Sequence, residues 1–126
     1  MIADAEKHLA VTFPESLREN LRRFGWLELG HMEFFGLGTR VPPHLNLVNL
    51  TVSERAEGGV GLPQHLIPLL NDGGGNLYCV DVSHASGVRG RVVLWNHELG
   101  PRQEPRECAS TLEDWLSERV GFLDEA

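Results

Sequence analysis

Asn71-Asp72-Gly73-Gly74-Gly75-Asn76-Leu77-Tyr78-Cys79-Val80-Asp81 joins a glycine-rich turn to an apolar strand. Three glycines in a row remove every Cβ from the turn, so positive φ angles become cheap there. On the upstream side stands Leu66-Ile67-Pro68-Leu69-Leu70, a second apolar, strand-like run. Two such runs joined by a short Asn/Asp/Gly segment predict a β-hairpin over Leu66–Val82 whose loop is longer than two residues. Ten residues beyond Asp81 begins Arg91-Val92-Val93-Leu94-Trp95-Asn96-His97-Glu98. Its apolar part, up to Asn96, predicts a further strand in the sheet interior, because a strand covered on both faces reads as a continuous apolar run.

Outward from this centre the pattern turns helical. Ile2, Ala5, Glu6 and Leu9 form a short stripe, with Asp4 and Glu6 near the start, where the helix dipole favours negative charge. Phe13-Pro14-Glu15 opens a second helix, with Pro14 expected at the first helical position, where its missing N–H is not needed. Leu17, Leu21 and Phe24 share its apolar face, and Gly25 is the expected stop. Trp26–Leu29 and Met32–Phe35 predict two short strands about Gly30-His31. Gly36, Gly38, Pro42 and Pro43 mark a loop. Leu45–Ala56 holds several β-branched residues, but the Leu47/Leu50 spacing favours a helix. Gly58–Gly61 reads as a link, Ser83–Gly90 as a polar loop, and Glu98–Glu107, with Gly100, Pro101 and Pro105, as another loop. Ser110 or Thr111 caps a last helix with Leu112, Trp115, Leu116 and Val120 on its buried stripe, and Gly121 is expected to end it. The order of elements predicts an α+β domain: one mainly antiparallel sheet, with N-terminal helices and a C-terminal helix packed on it.

The chain has 126 residues, the size of one domain, and a domain of that length buries roughly two thirds of its unfolded surface. Apolar residues make up 41% and charged residues 23%, as in ordinary globular proteins, which argues against disorder. Eleven basic and eighteen acidic side chains leave a net charge of −7. That balance argues against direct nucleic-acid binding, which draws on lysine and arginine, and suits a basic protein partner. Two cysteines, Cys79 and Cys108, are too few for a disulfide scaffold, and Cys79 within its apolar strand reads as a buried hydrophobe. Met1–Ala10 has no apolar core of a signal peptide, and no run approaches the roughly twenty apolar residues of a membrane span. The expectation is a soluble, cytoplasmic protein.

Asp72, Asp81, His97 and Glu98, with Glu33, are the residue types of a hydrolytic or metal site, if they converge. No H-x-x-x-H or paired C-x-x-C spacing supports this. The simpler reading gives Asp72 to the backbone of its turn and uses Asp81 and His97 to tie strand ends to loops. The triple glycine lacks the following helix that a phosphate loop needs. Trp26, Phe34, Phe35, Tyr78 and Trp95 are expected in the core. Phe34 and Phe35 point to opposite faces of a strand, so an exposed Phe35 would be a binding anchor. His8, His31, His44, His65 and His84 are expected in solvent.

Several blocks stand in a distinctive order. Phe13-Pro14-Glu15 leads the Leu17/Leu21/Phe24 helix, and Phe24-Gly25-Trp26 precedes Glu33-Phe34-Phe35-Gly36-Leu37. Then come Leu66–Asp81, Val92-Val93-Leu94-Trp95-Asn96-His97-Glu98 and Leu112-Glu113-Asp114-Trp115-Leu116. Over nearly the whole chain this resembles the SUKH superfamily, in the branch named for the fungal Smi/Knr cell-wall assembly regulator. One departure is Leu17 or Leu21 where that family often carries an aromatic residue. The resemblance implies a single α+β domain over 1–126, without established catalytic residues, cofactor or metal. It also implies a protein partner. Bacterial members resemble immunity proteins that block a cognate toxin domain, often a nuclease, and fungal ones serve as regulatory interaction modules.

Three functions therefore stand open. The first is stoichiometric binding of a toxin, with a basic nuclease as one such target, through Glu28, Glu33, Phe35, Asp72, Asp81, His97 and Glu98. The second is a small metal-dependent hydrolase using His97, Glu98 and Asp81. The third is a regulatory scaffold without a toxin.

Overall fold

The computed structural model describes residues 2–24, 27–29, 32–38, 40–83 and 90–125. Its chain runs α1 (Ile2–Leu9), α2 (Glu15–Phe24), β1 (Leu27–Leu29), β2 (Met32–Phe34), a 3-10 turn (Pro43–Leu45), α3 (Leu47–Arg55), β3 (Leu66–Asn71), β4 (Leu77–Asp81), β5 (Val92–Trp95), β6 (Arg106–Ala109) and α4 (Leu112–Glu125). The six strands form one sheet in sequence order, and every neighbouring pair is antiparallel. The α+β architecture read from the sequence is the one the chain adopts. Consecutive strands are neighbours throughout, even across the long β2–β3 connection that carries α3, as sequential elements usually are.

The sheet is covered on both faces. Residues along β4 alternate: Tyr78 and Val80 face the larger core with Val92, Phe34, Leu17, Leu21, Leu112 and Trp115, so helices cover that side. Leu77 and Cys79 face the smaller core with Leu66, Val93 and Trp95, which Leu62 and Val60 close from the segment after α3. Trp95 is fully buried there and its indole N–H donates to the Val60 carbonyl at 3.2 Å. Burial on both faces explains why β3, β4 and β5 read as unbroken apolar runs. Pro68 sits inside β3, an interior strand, where its missing N–H would break a ladder. The β3–β4 register shifts between Pro68 and Leu70, so a bulge absorbs that defect. Burial pushes the Cys79 thiol well above its ordinary range, in keeping with a structural rather than a reactive cysteine.

Side-chain bonds fasten the helices. Glu6 accepts from the Phe13 amide and from the Arg18 guanidinium, both at 2.8 Å, which locks α1 to α2. Arg55 at the end of α3 donates to the carbonyls of Leu9 (3.0 Å) and Gln64 (2.7 Å), closing the orphan C-terminus of α1.

Several expectations need correction. Pro14 precedes α2 rather than opening it: its carbonyl accepts from the Leu17 and Arg18 amides, the place of a cap residue. The helix expected over Leu45–Ala56 is shorter, starting at Leu47, because the Asn46 side chain caps it by accepting from the Asn49 amide at 3.0 Å. Glu98–Glu107 is not wholly loop, since Arg106 begins β6. That edge strand carries exposed Arg106 and Glu107 and so lacks an apolar signature. Gly121 does not end α4, which continues to Glu125. A glycine costs a helix about 1 kcal/mol against alanine but does not by itself stop it. Of the two cap candidates it is Thr111 that serves, as expected of one of them, accepting from the Asp114 amide at 3.1 Å. The readings on Gly25, Trp26, Gly30, His31 and most of the Ser83–Gly90 loop lie outside the described residues.

Candidate functional site

The residues singled out by sequence fall mainly at one end of the sheet, where β3 turns into β4 and β5 leaves toward β6. Nested side-chain turns build the β3–β4 loop. Asn71 Oδ1 accepts from the Gly73 amide at 2.8 Å, and Asp72 Oδ1 accepts from the amides of Gly74 (2.7 Å) and Asn76 (3.1 Å). Asp72 thus shapes its own loop, as expected for an aspartate before glycines.

Asn76 then ties this loop to the next one. Its Oδ1 accepts from the His97 amide at 3.1 Å, which fixes the orientation of the side-chain amide. The same oxygen lies 2.7 Å from His97 Nδ1, so the neutral imidazole carries its proton on Nδ1 and presents Nε2 outward. Glu98 Oε1 is 3.9 Å from that Nε2. The turn after β5 is laced as well: Glu98 N donates to Asn96 Oδ1 at 2.9 Å, and Gln103 bridges the Asn96 amide and carbonyl at 3.0 and 2.7 Å.

Gly75 is required twice at this junction. Its φ is +101°, and a Cβ there would stand 3.1 Å from the His97 ring. Gly75→Ala is expected to cost about 1–3 kcal/mol and to loosen the Asn76–His97 contact. Urea unfolding measures the first effect. The second should appear as faster hydrogen exchange at the His97 amide.

Glu33 reaches the same end from β2. Its carboxylate is 3.2 Å from His44 Nε2. Glu33, Asn71, Asp72, Tyr78 and Arg119 line a notch of about 280 Å³. Arg119 lies over the Tyr78 ring, 4.3 Å from its centroid, and 5.6 Å from that of Trp115. Glu28 is the register partner of Glu33 across β1–β2.

Asp81 and Phe35 do not join this group. Asp81 ends β4 at the far edge, a strand's length or about 13 Å from its start. There its carboxylate accepts from the Ser83 amide (2.9 Å) and from Arg91 Nε (3.0 Å), which ties strand to loop. Burial alone would raise its pKa. The hydrogen bonds from Ser83 and Arg91 outweigh that and hold it below the ordinary carboxylate value. Phe35 follows the last residue of β2, is half-buried and packs against both cores. It is therefore not the exposed anchor that alternation suggested.

His97, Glu98 and Asp81 are thus not brought together as a catalytic set. Among the described residues, no three His, Cys, Asp or Glu side chains stand together as a metal cage. A larger open groove of about 720 Å³ runs between α1 and the start of β3, lined in part by Glu6, Lys7, Thr12, Gln64 and His65. Its one carboxylate, Glu6, is engaged by Arg18. Sequence reading missed Leu99, 65% exposed at the tip of the β5–β6 turn, and the Tyr78–Arg119 stack. Only the four-residue spacing of Trp115 and Arg119 on one helix face hinted at the stack. No described helix is long and apolar enough to cross a membrane.

Comparison with known proteins bears on the fold and the family. A solved structure, "Crystal structure of protein from Pseudomonas syringae pv. tomato", superposes with a TM-score of 0.61 at 24% sequence identity, covering 81% of this chain and 68% of that one. At that identity the likeness speaks for the fold alone. No curated protein matches the chain. The model of the SMI1 / KNR4 family (SUKH-1) matches residues 1–118, a span that takes in both cores and all six strands. The chain belongs to the SMI1 / KNR4 family (SUKH-1).

Proposed function

We propose that this domain, spanning 1–126, is a non-catalytic protein-binding module acting in the cytoplasm as an immunity protein, which neutralises a cognate toxin domain by stoichiometric binding. Family membership supports protein–protein interaction in general. The observation that carries the finer reading is the gathering of Glu33, Asp72, His97 and Glu98 on one pre-shaped end of the sheet. Rigid loops lose little entropy on docking, so binding energy is not spent on ordering them. The overall charge of −7 suits a basic target such as a nuclease, whose association it would speed.

The test takes as its target any toxin domain found encoded beside this gene. Mixed at equal concentrations, the two should elute as a one-to-one complex by light scattering, and the toxin should lose its activity. A toxin that stays fully active and elutes alone beside excess domain would refute the immunity role.

A further inference from the structure

We propose that the notch between β2, the β3–β4 loop and α4 binds a small zwitterion of the α-amino acid class, with the ligand's carboxylate on Arg119 and its ammonium on Glu33 and Asp72. Such binding needs no toxin and is separate from the immunity role. Four arginines among the described residues are partly buried: Arg18, Arg55, Arg91 and Arg119. Arg18 and Arg91 hold carboxylates, and Arg55 holds the carbonyls of Leu9 and Gln64. Arg119 alone of the four has no acceptor among the described residues, and its Nε–H is buried without a partner. Arg18 and Arg55 also bury an unpartnered Nε, but their terminal nitrogens are engaged. What holds Arg119 is aromatic: its guanidinium lies 4.3 Å from the centroid of Tyr78 and 5.6 Å from that of Trp115. A ring contact fixes the cation but leaves its N–H donors unused. The result is a positioned, half-buried fork of the shape that takes a carboxylate bidentately.

The other charges of the same cavity identify the ligand. Arg119, Glu33 and Asp72 all line the notch of about 280 Å³, with Asn71 and Tyr78. Neither carboxylate is ion-paired with Arg119. Glu33 meets His44 at 3.2 Å, and Asp72 Oδ1 accepts from the Gly74 and Asn76 amides of its own loop. One small space is therefore bordered by a guanidinium and two carboxylates that do not neutralise one another. A simple anion would gain Arg119 and be repelled by Glu33 and Asp72, and a simple cation would meet the reverse. A ligand carrying both charges a few atoms apart complements both walls. The volume falls short of a drug-sized pocket, so the ligand is small.

The test follows the amide shifts of the full chain by NMR as L-alanine is added. Saturable shifts are expected around Asp72, Gly73, Tyr78 and Arg119. N-acetylalanine keeps only the carboxylate and alaninamide only the ammonium, so each should bind at least about tenfold more weakly than alanine. Arg119→Gln should weaken alanine binding by a similar factor, and so should Arg119→Lys, which keeps the charge but not the fork. Glu33→Gln should do the same from the opposite wall. Glu33 is exposed, so this variant tests the site even where a change at Arg119 disturbs the fold, which the amide spectrum itself reports. Lys7→Gln removes an exposed cation on α1, outside the notch, and should leave binding unchanged. Three results would each overturn the proposal: no saturable shift by about 10 mM alanine, an acetylated or amidated form that binds as well as alanine, or an alanine affinity untouched by Glu33→Gln.

Discussion

Truncating Trp115 to alanine is expected to destabilise the domain by about 3–5 kcal/mol, a large part of the roughly 5–15 kcal/mol that holds a domain together. Trp115 is 1% exposed and joins α4 to the sheet. Its ring meets Phe34 edge-on, with centroids 5.7 Å apart at 75°, and tilts over Tyr78 at 5.5 Å. Aromatic pairs of this geometry add to the area they bury. Arg119 closes the stack from outside, so the truncation also removes one wall of the Arg119 site. Among the described residues the indole N–H is buried without a partner, which costs about 1–3 kcal/mol. Trp115→Phe keeps the ring in the core and removes that orphan donor. It should therefore cost far less than Trp115→Ala. Urea unfolding of the two variants decides: equal losses would mean that the indole N–H finds a bond in solution and that packing is not the main term.

Replacing Asp81 with asparagine is expected to cost about 2 kcal/mol at neutral pH. The full penalty of breaking a buried ion pair, about 3–5 kcal/mol, does not apply, because Arg91 is 38% exposed and water can solvate it once its partner is gone. The pH dependence follows from the direction of the shift. The folded carboxyl has its pKa lowered from 3.8, so the unfolded chain binds that proton more readily than the folded one. The contribution of Asp81 is then complete above about pH 4 and is lost as pH falls through the lower folded value. Wild type and Asp81→Asn should differ most at pH 7 and converge in acid. Glu6 adds to the acid sensitivity of both proteins. Burial raises its pKa, but the bonds from Arg18 and the Phe13 amide lower it further than burial raises it. A gap that stays constant from pH 7 to pH 3 would contradict the assignment.

Much of this architecture was legible because it rests on strong local signals. The hairpin over β3 and β4 announces itself through apolar runs around Asn-Asp-Gly, and Asp72 does in the structure what an aspartate before glycines does in turns generally. Helices α1 and α2 follow their stripes. What escaped was decided by context. Strand β6 is an edge whose Arg106 and Glu107 face water, so neither alternation nor an apolar run marks it. Phe35 looked like one partner of an alternating pair, but β2 ends at Phe34, and the next amide bonds to Leu69 O at 2.8 Å beside the Pro68 bulge. That bond draws Phe35 between the cores. The gathering of Glu33 with Asp72 depends on β2 pairing with β3 across some forty residues of chain, which no local pattern encodes. Leu99, alone between Glu98 and Gly100, has no periodicity that would mark its exposed place on the β5–β6 turn.

The central claim is that this domain acts by occupying a partner rather than by turning over a compound. An inhibition titration tests it most directly: the neighbouring toxin's activity is followed as wild-type domain is added. Activity should fall linearly to an end point at one domain per toxin and stay there with time. Inhibition by far less than one equivalent that deepens during incubation would mean the domain consumes something catalytically, and would contradict the account.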